Sequence, residues 1–140
     1  MEVIGPEPFQ ETRPLAGTLV SPIMGRRQEE DVFDREEVLR RLNGNEALLV
    51  RLLRIFNDHA QDELSQIREA MDRADAFATG RHAHALKGSA ANVGAVRVQA
   101  LARDMEQTAE MGDLAPLDAL VAQTEREFGV FVSATQGFAT

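Results

Sequence analysis

Apolar residues recur three and four positions apart along most of this chain, and no segment shows the alternation of a strand. Ala83, Leu86, Ala90 and Val93 form one such stripe. Val98, Leu101 and Met105 form a second, and Leu117, Leu120, Val121, Thr124, Phe128 and Phe131 a third. A longer segment carries Leu49, Leu52, Phe56, Leu64, Ile67 and Met71, and a short one Val38, Leu39 and Leu42. Methionines and phenylalanines at this helical spacing read as core.

Breakers divide the pattern into elements. Asp34 caps a short helix, and Asn43-Gly44-Asn45 ends it. A long helix is predicted from about Glu46 to Ala74. Asp75 is an N-cap for a helix running to Asn92, with Gly94 just past its last periodic position. The fourth helix runs to about Met111, Gly112-Asp113 turns the chain, and Pro116 falls in the first turn of the last helix, where its missing N–H does no harm. The expected fold is all-α: an antiparallel four-helix bundle with a short additional N-terminal helix over one end, occupying residues 29–137. Four of the five prolines fall within residues 1–28, together with Gly5, Gly17 and Gly25, so this stretch is expected to be a flexible tail or linker. Its Leu15, Leu19, Val20, Ile23 and Met24 are apolar enough for part of it to lie on the domain.

Composition narrows the function classes. The chain has 140 residues, enough for one domain with a core. It has no Cys, hence no disulfide and no thiolate chemistry. It has no Trp or Tyr to stack bases, and its net charge of -8 argues against a nucleic-acid partner. No apolar run approaches the ~20 residues of a membrane span, and the N-terminus lacks the basic start of a signal peptide. These features predict a cytoplasmic protein with no membrane partner.

The candidate chemistry lies in the run His82 to Ala95. At about 100° per residue, His84 points roughly 140° away from the apolar stripe and faces solvent, whereas His82 lies only about 60° from it. The two rings are too far apart around the helix to ligate one metal. Residues three and four apart are surface neighbours, so His84, Lys87 and Gly88 share one patch. Gly80 and Gly88 bracket His84 at minus four and plus four. A mid-helix glycine costs about 1 kcal/mol relative to alanine, so two of them imply either clearance for another protein or close packing inside this chain. Lys87, pointing the same way as His84, favours clearance. Gly80, Arg81 and Ala91 then form the surrounding docking face. His82 and His59 read as structural.

The twelve residues from His84 to Ala95, HALKGSAANVGA, resemble the signature of the histidine-containing phosphotransfer (HPt) domain of bacterial phosphorelays. Val32-Phe33-Asp34, Asn43-Gly44-Asn45, Leu101 and Met105-Glu106 also fall where that family has corresponding features, so the resemblance covers about residues 31–135. It implies that His84 accepts a phosphoryl group from a receiver-domain aspartate or a kinase and passes it to a second receiver. Lys87 would offset phosphoryl charge and Gly88 would keep the approach open. Some family members carry a glutamine 22 residues after the histidine. Glu106 stands there in this chain, and because a carboxylate repels phosphate it is given no site role. The implied protein is a monomeric phosphoryl carrier, not an enzyme, with no cofactor of its own. Mg²⁺ would come with the receiver, and the partners would be response-regulator receivers and a hybrid sensor histidine kinase. The alternatives are an HPt-like docking module that carries no phosphate, the histidine-bearing domain of a chemotaxis-type kinase, and a metal- or haem-binding bundle.

Overall fold

The computed structural model describes residues 32–139; the predicted tail, 1–28, lies outside them. Five helices are described: α1 (Arg35–Arg41), α2 (Glu46–Asp72), α3 (Ala76–Asn92), α4 (Val96–Glu110) and α5 (Leu117–Ala139). Helices α2 to α5 form an antiparallel four-helix bundle in which α2 packs on α3 and α5, and α4 packs on α3 and α5. Helix α1 covers one end. The last helix begins one residue later than expected, because Pro116 stands ahead of it and offers its carbonyl to the Leu120 N–H.

The first three corners share one construction. Each helix closes with a residue at positive φ and a six-to-one backbone bond, and the next helix starts at once, with a side-chain cap at the first two corners. After α1, Asn43 has φ 56° and the Gly44 N–H donates to the Leu39 carbonyl at 2.7 Å. After α2, Ala74 has φ 54° and the Asp75 N–H donates to the Ala70 carbonyl at 2.9 Å. After α3, Gly94 has φ 71° and the Ala95 N–H donates to the Ala90 carbonyl at 2.9 Å. Asn45 and Asp75 then accept the Leu48 and Ala78 N–H groups, each at 3.0 Å. Asp75 therefore ends one helix and starts the next. Such short corners leave antiparallel neighbours as the only compact arrangement.

The core follows the predicted stripes except that Leu53, not predicted, is fully buried, while Leu52, Met71 and Leu120 are half-buried at its edge. Leu49, Leu53, Phe56, Leu64 and Ile67 of α2 meet Leu86 of α3, Val98 and Met105 of α4, and Val121 and Phe131 of α5. Phe131 is the hub of one end, edge-on to Phe33 at 5.5 Å and to Phe56 at 5.3 Å. Helix α1 is tied to the α3–α4 corner by the Asp34 N–H, which donates to the Gly94 carbonyl at 3.0 Å. Two residues depart from the expectation that methionines and phenylalanines are core: Phe77 and Met111 are each 81% exposed. Phe77 lies on the same side of α3 as His84, two turns earlier, and Met111 lies past the last turn of α4, so neither has a partner helix above it.

The corners yield a paired prediction. A Cβ at Gly94 would lie 2.7 Å from Val38 Cγ2 and 3.0 Å from the Asp34 carbonyl oxygen, on a backbone that disfavours L-residues. Gly94→Ala should therefore cost at least about 2 kcal/mol. Ala74→Gly, which relieves a left-handed alanine, should stabilise by about 0.5–1 kcal/mol. Urea unfolding of both variants checks the signs; a destabilised Ala74→Gly would contradict the corner geometry.

Candidate functional site

Helix α3 owes its position to small residues. Ala83 and Ala90 are buried on it, in the same core as the buried Ala102 and Ala109 of α4. At Gly80 the two helices lie close together, since a Cβ added there would be in van der Waals contact with Ala109 Cβ at 3.4 Å. Packing at this distance brings a residue of α4 within reach of two side chains on α3.

That residue is Glu106. His84 is 66% exposed in its side chain, and its Nδ1 lies 2.9 Å from Glu106 Oε2. Lys87 Nζ lies 2.7 Å from the other carboxylate oxygen, Oε1. One carboxylate thus bridges the histidine and the lysine. The hydrogen bond from Lys87 holds the Glu106 carboxyl below the ordinary value of 4.5; partial burial opposes this and the contact with His84 adds to it. An ionised carboxylate only accepts hydrogen bonds, so it selects the tautomer in which Nδ1–H donates. The lone pair of Nε2, on the other side of the ring, is then the free nucleophile. Sequence reasoning excluded Glu106 because of its charge. The signal that could have found it was its spacing of 22 residues from His84, the position of the family's glutamine.

The other expected site residues separate. Gly88 is exposed and a Cβ there would meet nothing within 4 Å, which suits clearance. Gly80 is a packing glycine against α4. Ala91 is half-buried, and its carbonyl accepts a hydrogen bond from Arg41 at 3.2 Å. Arg81 is exposed and makes no ion pair among the described residues. A groove of about 600 Å³ runs from His84 toward the α3 N-terminus, lined by Phe77, Gly80, Arg81, Ala109 and Glu110 among others. Its lining includes the small residues Gly80 and Ala109, the carboxylates of Glu106 and Glu110, and one aromatic side chain, Phe77.

His82 occupies the opposite side of α3. Its Nδ1 is 2.6 Å from Glu63 Oε1 on α2, while His59 Nε2 is 3.4 Å from Glu63 Oε2. With 20% of its side chain exposed, His82 is the border residue the helix phase predicted. Among the described residues, no group of three or more His, Asp or Glu side chains is placed to hold a metal ion, and no helix is long and apolar enough to cross a membrane.

The four-helix bundle and its exposed, anchored histidine fit the resemblance read from the sequence, and comparison with known proteins agrees. Residues 51–132 match the family model of the Hpt domain, so the chain belongs to that family. Histidine-containing phosphotransfer protein B of Pseudomonas aeruginosa PAO1 superposes with a TM-score of 0.71 at 28% identity, covering 76% of this chain and 94% of that one. The Hpt domain of a sensor hybrid histidine kinase from Shewanella shares the fold, with a TM-score of 0.67 at 17% identity, covering 79% of this chain and 96% of its own. No curated protein matches the chain.

The bridge has a pH signature. Because Glu106 has a lower carboxyl pKa folded than unfolded, its ionisation stabilises the fold above about 4.5, and that contribution disappears as pH falls through the depressed folded value. Glu106→Gln should cost about 0.5–1 kcal/mol at pH 7, a modest figure because the site is solvent-screened. The gap between variant and wild type should close in strong acid. Urea titrations at pH 7 and pH 3 make the comparison; an equal gap at both would remove the charged bridge from the account.

Proposed function

We propose that this protein carries a phosphoryl group on His84, accepting it from the aspartyl phosphate of a receiver domain or from a kinase and passing it to another receiver aspartate. The observation that carries this reading is the exposed His84 ring, anchored at Nδ1 and open at Nε2, in a chain that belongs to the Hpt family. The Nε2 lone pair attacks phosphorus in line, the bond from phosphorus to the aspartyl oxygen breaks, and the carboxylate departs. Positive charge develops on the imidazole as the new bond forms, and the Glu106 carboxylate on Nδ1–H meets it. Lys87 keeps that carboxylate ionised and in place. Phosphoryl transfer depends chiefly on such positioning and charge stabilisation. The metal ion that such transfer needs, Mg²⁺, belongs in this reading to the receiver, and the protein acts in the cytoplasm as a carrier, not as an enzyme with its own turnover.

The receiver docks over the groove beside His84. Phe77, an exposed aromatic in the lining of that groove, provides an apolar anchor, and Gly88 leaves the other side of the imidazole open to a partner's backbone.

Transfer from a phosphorylated receiver domain tests the reading. Wild type and His82→Ala should gain acid-labile, alkali-stable label, and His84→Ala should gain none. Label retained in His84→Ala would sink the proposal, and receiver binding without label in wild type would make the protein a docking module. Docking has its own check: Phe77→Ser and Gly88→Gln should each slow transfer from the receiver by about tenfold or more, equivalent to roughly 1.4 kcal/mol, with helicity intact. Full-rate transfer in both would place the receiver elsewhere.

A further inference from the structure

Lys87 is the cation that the motif supplies, yet its ammonium is already engaged 2.7 Å from Glu106. Its charge is largely matched by the carboxylate it holds. A phosphoryl group on Nε2 carries up to two negative charges and three strong acceptor oxygens. It would form on the side of the ring turned away from Glu106, since Nδ1 is the atom turned toward it. A cation suited to those oxygens must therefore be uncommitted and lie on the open side.

Arg81 meets both conditions. On a helix, residues three before and three after a given position turn about 60° to opposite sides of it. Lys87 is thus on the α4 side of His84 and Arg81 on the open side. Arg81 is exposed and borders the groove beside His84 from the α3 side, and it pairs with neither Glu106 nor Glu110 of the α4 wall nor with any other acidic group among the described residues. A guanidinium presents a planar fork of N–H donors that suits phosphoryl oxygens better than the point charge of an ammonium. The other exposed arginine near the bridge, Arg103 on α4, lies outside the groove lining.

We infer that Arg81 is a second, direct phosphoryl ligand: its guanidinium grips the oxygens of the group being transferred to His84 Nε2, while Lys87 serves the resting site through Glu106. This rests on the reading of His84 as phosphoryl acceptor. It extends the role of Arg81 from contact with a partner protein to contact with the reacting group itself.

The test removes the partner. Phosphoramidate, a small phosphoryl donor, transfers its group to an imidazole nitrogen as its P–N bond breaks and ammonia leaves. With the full chain, phosphorylation of wild type on His84 should be slowed about five- to tenfold in Arg81→Gln, partly restored in Arg81→Lys, and unchanged in Arg103→Gln. In ³¹P spectra, the phosphohistidine of wild type should titrate at lower pH than that of Arg81→Gln, because a neighbouring cation favours the more highly charged phosphoryl form. If Arg81→Gln reacts with phosphoramidate and titrates like wild type but is slow with a receiver, Arg81 touches only the partner and the inference fails. Equal loss in Arg103→Gln would reduce the effect to net charge and also overturn it. Failure of wild type to be labelled on His84 would instead overturn the proposed function.

Discussion

The close approach of α3 to α4 governs the site. It is possible because the residues there are small: Gly80 against Ala109, with Ala83, Ala90 and Ala102 buried along the same pair of helices. Interhelix distance is set by the side chains at the contact. A side chain longer than alanine's at Gly80 would push the axes apart, and Glu106 would no longer reach His84 at 2.9 Å and Lys87 at 2.7 Å.

The two histidines of α3 show how one helix holds opposite environments. His84 meets a carboxylate from α4 and His82 a carboxylate from α2, on nearly opposite sides. His82 is mostly covered, and Glu63 engages it together with His59. His84 keeps two-thirds of its side chain in solvent. Both contacts resist rotation of α3 about its axis, so the structural histidine helps keep the exposed one in phase. The Glu106 bridge also leaves the imidazole with a defined hydrogen-bonding state: one nitrogen occupied, the other free.

The corners contribute rigidity from a distance. Each of the first three combines a left-handed residue, a six-to-one backbone bond and an immediate new helix. Little slack remains between elements, and the α3–α4 corner is further pinned by α1 through Gly94. The register of α4 along α3, and hence the height of Glu106 beside His84, follows from that corner. The chain accepts an unfavourable alanine at position 74 to maintain the same geometry one corner earlier.

Periodicity, caps and breakers were enough to find the helices, because each is a local property of consecutive residues: apolar stripes for the buried faces, Asp34 and Asp75 for two of the starts, Asn43-Gly44-Asn45 and Gly94 for stops. The exposure of His84 and the border position of His82 were equally legible, since helix phase alone decides them. What the local pattern did not decide was everything lying between helices. Gly80 and Gly88 look alike along the sequence, yet one packs on α4 and the other is open, because only the neighbouring helix distinguishes them. Phe77 and Met111 resemble core residues, but no helix covers them. Glu106 looked like a charge to be kept from phosphate. Tertiary packing makes it the partner of His84 and Lys87 instead, because the effect of a carboxylate depends on which atoms it faces, and that is set by the distance and register between two helices.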